Sequence, residues 1–247
     1  MILPSMTFKE MYDALSADAK KVQIRIDKIL PKAIRQFKKS RTFPAMYVDQ
    51  YRIPSTNNEY ILFFYAGNVS EAEQPRYSSF NIFYSDRQRF VIKGMKMGYR
   101  HTPKSDLVML PQIHVYTSHF FQRYNERFLH REELSPNEIA GLYFVRNKQM
   151  AQIKMNEAIN KRFEEYGEYN YYGMRVNDGF CFTKTALEGK ESDDGISEND
   201  IVDVMAIVYT TYMNESMMND TQQIAIEKEH FETFKRGLEI LMKRYST

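Results

Sequence analysis

The sequence contains a single cysteine, Cys181, and no tryptophan. One cysteine excludes an intrachain disulfide and a zinc site built from several thiolates, so we expect nothing in the fold to depend on an oxidising compartment. The chain also lacks any run of about 18 consecutive apolar residues, which argues against a membrane-spanning helix. Its first residues lack the charged start and apolar stretch of a secretory signal. We therefore expect a cytoplasmic protein with no membrane partner.

Several catalytic motifs are missing too. The sequence has no G-x-x-x-x-G-K-[ST] phosphate loop and no G-x-G-x-x-G fingerprint, so nucleotide-triphosphate hydrolysis and hydride transfer have no support. None of the five histidines belongs to an H-E-x-x-H motif. Glu126 and His130 have the i, i+4 spacing of helical metal ligands, but His119 lies two to three turns away, too far to share their ion. We therefore expect neither a metal nor a cofactor.

Aromatic and methionine side chains, in contrast, are plentiful: 17 Phe, 18 Tyr and 15 Met among 247 residues. This bulk is enough to form a core in one large domain or two modest ones. The net charge of +2 is unevenly spread, since residues 1–150 hold 23 Lys and Arg against 14 Asp and Glu, and residues 151–247 hold 11 against 18. Such asymmetry fits a polyanion-binding surface and equally fits ordinary surface charge.

A helical pattern covers residues 7–39, with apolar side chains at three- and four-residue spacing and Pro31 expected to kink or divide it. Its polar side is the most basic part of the chain. A basic amphipathic helix can bind nucleic acid or an acidic protein, and Lys38 and Lys39 are the candidate binding residues at its end; a solvated face is the other interpretation. The basic residues are Lys20, Lys21, Arg25, Lys28, Lys32, Arg35, Lys38, Lys39 and Arg41.

The rest of the chain predicts an α+β fold with mostly antiparallel sheets, an N-terminal basic amphipathic helix and a C-terminal helix. A loop predicted at 97–106 suggests a division into residues 1–105 and 106–247, with one continuous domain as the alternative. The predicted elements are strands at 45–53, 59–67, 76–85 and 87–95, helices at 118–130, about 136–151 and up to Gly167, a hairpin turning at 177–179, an acidic loop at 188–200, a strand at 202–213 and a helix at about 215–245.

The most informative segment is VYTSHFFQRYNERFLHREELSP, residues 115–136, in which a β-like run gives way to a helix at Thr117 and Ser118. At 100° per residue, one side of this helix is polar and the other is aromatic. The polar side is formed by His119, Arg123, Glu126, Arg127 and His130.

These polar side chains fit metal-free phosphodiester cleavage, which needs a base, an acid and cations for the developing phosphorane charge. His119 can be the base or the acid, while Arg123 and Arg127 can hold phosphate. Tyr209 or Tyr212, on a later strand, can add a proton donor or a surface on which a base stacks. The same spacing also fits an ordinary salt-bridged helix face.

The run TSHFFQRYNERF, followed by LSPNEIAGL, a strand pair at MRVNDGFCF and then VYTTYMNESMMNDTQ, resembles the RelE-like and barnase-like ribonuclease toxins. The resemblance covers residues 115–222. It implies a curved antiparallel sheet that carries the substrate, with histidine and arginine residues that cleave RNA without a metal. On the matching positions it implies catalytic roles for His119, Arg123 and Arg127, with Tyr209 and Gln222 as further candidates. Phe120 departs from the small residue usual after the histidine.

The sequence thus leaves several functions open. The first is an RNA-binding or metal-independent ribonuclease-like protein that uses the His119 side of its helix, with RNA or another polyanion as the partner. The second is a non-enzymatic module whose basic helix, Lys20 to Arg41, binds nucleic acid or an acidic protein. The third is a structural component that makes contacts through the aromatic-rich strands at 45–95.

Overall fold

The computed structural model describes residues 1–99, 108–159, 172–189 and 202–245. Within these ranges it has four α-helices and nine β-strands. The helices are α1 Phe8–Lys39, α2 Ser118–Tyr124, α3 Pro136–Arg146 and α4 Asp220–Tyr245. The strands are β1 Ala45–Arg52, β2 Glu59–Ala66, β3 Arg76–Ser85, β4 Gln88–Tyr99, β5 Val108–Thr117, β6 Met150–Lys154, β7 Tyr172–Val176, β8 Gly179–Gly189 and β9 Val202–Met213.

All nine strands belong to one sheet, in the order β1-β2-β3-β4-β5-β9-β8-β7-β6. Neighbouring strands are antiparallel except β5 and β9, which pair in parallel. The predicted class is therefore confirmed: α+β, a mostly antiparallel sheet, and a long helix at each end of the chain. The parallel pair joins two antiparallel meanders, β1 to β5 and β6 to β9.

The predicted boundary at residue 105 falls between β4 and β5, in residues 100–107, which lie outside the described part of the chain. The strands on either side of it pair along ten positions, from Phe90↔Thr117 to Tyr99↔Val108. The loop predicted to start at residue 97 is wrong for 97–99, which belong to β4. The division into 1–105 and 106–247 itself stays a prediction.

The helix predicted at about 136–151 ends early, at Arg146, where Asn147 caps it. The Asn147 side chain donates to the Tyr143 carbonyl at 3.0 Å. Residues 150–154, expected at the end of one helix and before another, form strand β6. The helix predicted up to Gly167 is wrong for 155–159, which form no helix, and the acidic loop predicted from 188 is wrong for 188–189, which end β8. Residues 160–167 and 190–200 lie outside the described residues.

Helix α1 covers one face of the sheet and α2 and α3 cover the other. A capping box formed by Thr7 and Glu10 starts α1, and the helix runs without interruption through Pro31. Its buried side chains pack on the aliphatic face of β2, β4, β5 and β9; on its second half these are Val22, Ile26, Ile29, Ala33 and Phe37. Within the described residues, no helix combines the length and apolarity needed to cross a membrane.

The opposite face of the sheet packs mainly through aromatic rings. Tyr116 and Tyr209, on the parallel pair, stack with centroids 4.0 Å apart, and Phe120 of α2 packs on both. Helix α3 approaches β2 so closely that a Cβ at Gly141 would lie 2.1 Å from Phe63 Cγ. Glycine is therefore required at 141 for α3 to pack this closely against β2.

The hairpin predicted at 177–179 is confirmed, and its turn is fixed by a buried ionic cluster around Asp178. The Asp178 carboxylate accepts two bonds from the Arg146 guanidinium at 2.9 Å each and one from Tyr124 Oη at 2.6 Å. Asn147 Nδ2 donates to the carboxylate, and Asn147 Oδ1 accepts from the Asp178 N–H, both at 3.0 Å. The cluster thereby joins α2, α3 and the β7–β8 turn.

Candidate functional site

His119 lies on the surface at the start of α2, directly after β5. Thr117 begins the helix by accepting a bond from the Phe120 N–H at 3.1 Å. Ser118 Oγ donates to the Arg89 carbonyl at 2.6 Å and so ties the helix start to β4. Phe120 is fully buried while His119 is exposed, as the predicted two-sided helix requires.

His119 and Arg123 contact each other on this surface. Arg123 Nε donates to His119 Nε2 at 3.4 Å, and Arg123 Nη1 pairs with Glu126 Oε2 at 2.7 Å. Because His119 Nε2 accepts, the imidazole proton is assigned to Nδ1. The hydrogen bond from Arg123 lowers the pKa of Glu126 below its ordinary value, which favours its carboxylate form. We call His119, Arg123 and Glu126 the His119 face.

Arg127 does not lie on the His119 face. The chain leaves α-helical geometry after Tyr124 and forms a π-helical turn over Asn125–Leu129, which winds less tightly than 100° per residue. Arg127 Nη1 donates to the backbone carbonyl of Tyr212, and the Arg127 carbonyl accepts from Asn214 Nδ2 at 3.0 Å. Arg127 therefore fastens the end of α2 to the end of β9.

Tyr209 and Gln222 are also engaged away from the His119 face. Tyr209 is fully buried, and its hydroxyl lies 2.9 Å from His114 Nδ1. Gln222 exchanges bonds with Asn219 at the start of α4, and its amide donates to the Ile159 carbonyl at 2.9 Å. Of the candidate residues on or after β5, the structure brings only His119 and Arg123 together.

The remaining candidates, Lys38 and Lys39, lie on the other side of the protein. They end α1, which packs on the sheet face opposite to α2 and α3. One RNA site containing both the His119 face and these lysines is therefore not formed, because the sheet separates them. The structure instead presents two separate surfaces.

The second surface is a line of cations along α1. At 100° per residue these five positions fall within about 60° of one another, on a flank of the helix roughly 120° around from the middle of its buried side. All five side chains are exposed, and the line is about 27 Å long at 1.5 Å per residue. We call it the α1 basic stripe: Lys21, Lys28, Lys32, Arg35 and Lys39.

Among the described residues, no carboxylate pairs with any of the five cations of the stripe. Lys21 Nζ donates to the neutral Ser55 Oγ at 2.7 Å, and Lys32 Nζ lies 5.7 Å from the Tyr47 ring centroid. Lys38, a candidate from the sequence, lies off the stripe and pairs with Glu73 at 2.6 Å. Tyr47 was not among the sequence candidates, although the alternation of Tyr47, Asp49 and Tyr51 in β1 places it on the α1 side.

Comparison with known proteins gives no relative for this chain: no protein-family model, curated protein or solved structure matches it. The α1 basic stripe and the His119 face therefore carry the functional argument on their own geometry and charge.

Proposed function

We propose that this protein binds RNA along the α1 basic stripe. The observation that carries the proposal is the alignment of five exposed cations, Lys21 to Lys39, on one side of a single helix. Cations in a row attract a phosphate backbone regardless of its sequence, and binding is driven by the release of counterions.

The stripe is also held rigidly. Another side of α1 is buried in the core through residues such as Ile26, Ala33 and Phe37, which are at most 3% exposed. Two acidic residues of the same region have partners of their own: Asp49 pairs with Arg25 at 2.9 Å, and Asp27 accepts from Gln23 at 2.8 Å. Binding RNA therefore requires little ordering of the protein backbone.

An aromatic ring beside the stripe favours single-stranded RNA over a plain polyanion. Tyr47, half-buried on the edge strand β1, presents its ring next to Lys32. Unpaired bases stack on such rings while neighbouring cations hold the backbone.

Neutralising the middle of the stripe is expected to weaken RNA binding. The triple variant Lys28→Gln, Lys32→Gln and Arg35→Gln should bind a labelled single-stranded RNA at least about tenfold more weakly at low salt, since three phosphate contacts are lost. The slope of log K against log salt should become shallower by about 2, at roughly 0.7 per contact. Fluorescence anisotropy across a salt series measures both quantities.

A matched triple variant tests whether RNA binding depends on the position of these cations or only on the total charge of the protein. Lys148→Gln, Lys154→Gln and Lys228→Gln removes three exposed cations from other elements and should leave affinity within about twofold. Equal losses for the two triples, or binding insensitive to salt, would contradict the proposal. Tighter binding of polyglutamate than of RNA would instead identify an acidic protein as the partner.

Metal-independent RNA cleavage at the His119 face is a second candidate. The observation that favours it is an exposed imidazole whose Nε2 atom lies 3.4 Å from Arg123 Nε, so that a phosphate drawing Arg123 away from His119 would free that nitrogen as the proton acceptor. Among the described residues, Arg127 and Tyr209, expected to complete this site, are engaged elsewhere.

Cleavage is tested by incubating the protein with RNA in excess chelator. The wild type should cleave, and His119→Asn should lower the rate about 100-fold or more, the usual contribution of a general acid or base. His119→Asn should leave anisotropy-measured binding to the α1 basic stripe unchanged. Identical RNA patterns for the two proteins would remove the catalytic function while leaving RNA binding intact.

A further inference from the structure

The sheet contains a gap between β3 and β4. These strands pair only from Ser85↔Gln88 to Asn81↔Ile92. Beyond that point β3 stays paired with β2 as far as Arg76, and β4 stays paired with β5 as far as Tyr99. In this described part of the sheet, two strand edges therefore diverge.

Helix α1 crosses over the gap and forms with it a cavity of about 390 Å³ that is open to solvent on one side. This volume is in the range of pockets that bind small organic ligands. The inner walls are apolar, with Leu15, Val22 and Ile26 from the helix facing Ile92 of the sheet. Exposed residues line its outer part; these are Ser16, Ala19, Gln23 and Lys96.

Asn81 supplies an unused acceptor in the cavity wall. Its side-chain amide donates to the Glu59 carbonyl at 2.9 Å, but its Oδ1 atom has no partner among the described residues, although the residue is only 1% exposed. A buried acceptor left without a donor destabilises the protein, so a ligand that donates to it gains that bond.

On the α3 side the gap is closed, and the Lys93 ammonium there already has partners. Lys93 Nζ donates to Ser78 Oγ at 3.0 Å and lies 4.5 Å from the Phe144 ring centroid, on the α3 side of the sheet. Lys96, two residues further along β4, has its side chain on the α1 side by strand alternation. The described lining contains no carboxylate to neutralise it.

We propose that this cavity binds a small aromatic acid whose ring packs against Leu15 and Val22 of α1, whose N–H or O–H group donates to Asn81 Oδ1, and whose acidic group faces Lys96. The ligand class follows from the apolar walls, the single buried acceptor and the cation at the edge. The cavity lies on a different side of α1 from the basic stripe, so this binding and RNA binding are separable.

The probe is 1-anilinonaphthalene-8-sulfonate, which has fused rings, one N–H donor and one anionic group. Calorimetry should show one saturable site. Gly94→Leu should abolish it, because the new side chain extends into the cavity, whereas Gly94→Ala should retain it, since its Cβ would lie an ordinary 3.5 Å from Tyr12 Cδ2. Lys96→Glu should weaken binding about fivefold to tenfold by reversing an exposed charge.

Two further variants keep the outcome clear. Ala19→Phe fills the cavity from its exposed edge. It should also abolish binding of the probe, and it provides this test if Gly94→Leu does not fold. Phe231→Lys removes an exposed apolar ring on α4, 62% accessible, and should leave binding unchanged. Wild-type affinity in both Lys96→Glu and Ala19→Phe, or loss of binding in Phe231→Lys, would overturn the proposal.

Discussion

Replacing Asp178 with alanine is expected to lower the free energy of unfolding by about 2–4 kcal/mol, because it removes a buried carboxylate that accepts four hydrogen bonds. The side chain of Asp178 is only 6% exposed and that of Arg146 is 36% exposed. Without the carboxylate, Tyr124 Oη and the Asn147 amide also lose their acceptor inside the core. Urea unfolding followed by circular dichroism measures the loss.

Two controls identify the ion pair as the cause. Asp178→Asn keeps an oxygen for Tyr124 but removes the charge, so it should cost less than alanine and still more than about 1 kcal/mol. Glu133→Ala removes an exposed carboxylate that pairs with Arg131, and its effect should stay below about 1 kcal/mol. Equal effects for Asp178→Ala and Glu133→Ala would show that the cluster contributes nothing beyond a surface pair.

The elements that the sequence predicts correctly are those encoded by neighbouring residues. The capping box of Ser135 and Glu138 starts α3 where expected, and the turn at Asp178 and Gly179 forms the predicted hairpin. The periodic apolar residues of α1 are buried as expected, and the helix spans nearly the whole predicted range. Each of these depends on contacts within a few positions of the chain.

The candidate site was less predictable because it depends on long-range packing. Nothing near Lys39 or His119 in the sequence indicates that the sheet places them on opposite faces. The role of Arg127 depends on a π-helical turn, whereas an ideal helix places it beside Arg123. Spacing along the chain therefore identified the basic helix but not the composition of a site.

The burial and hydrogen-bond partners of two polar residues could not be predicted from the sequence either. Asn81 lies in an ordinary strand pattern, yet its oxygen, at the last paired position of β3 and β4, has no donor among the described residues. His114 stands in the sequence beside the exposed His119, yet it is 2% exposed and lies among side chains of β4 and β9. Burial by distant strands, which local patterns do not report, gives both residues their properties.

His114 is expected to make the protein less stable as the pH falls below about 6.5. Its Nδ1 atom lies 2.9 Å from Tyr209 Oη and its Nε2 atom lies 3.1 Å from Gln112 Oε1. Because a carbonyl oxygen only accepts, Nε2 carries the proton and the Tyr209 hydroxyl donates to Nδ1. Burial, and secondarily the charge of Lys93 on the adjacent strand, lowers the pKa of His114 from 6.5 to about 3.

The sign of the effect follows from proton uptake. The unfolded chain protonates His114 below about 6.5, while the folded protein does so only near pH 3, so unfolding binds a proton in this window. The contribution of His114 to stability is thus present at pH 7 and falls by about 1.4 kcal/mol per pH unit between about 6.5 and 3. Urea unfolding at pH 7, 6, 5 and 4 gives the slope.

His114→Gln replaces the ring with an amide that does not titrate. Unfolding of this variant should therefore take up about one proton fewer than unfolding of the wild type, so its free energy of unfolding should depend less steeply on pH. Tyr209→Phe removes the hydrogen-bond donor but keeps the buried imidazole, so it should lower stability at every pH and retain the wild-type slope. Parallel slopes for the wild type and His114→Gln would show that the folded protein accommodates a charged imidazole.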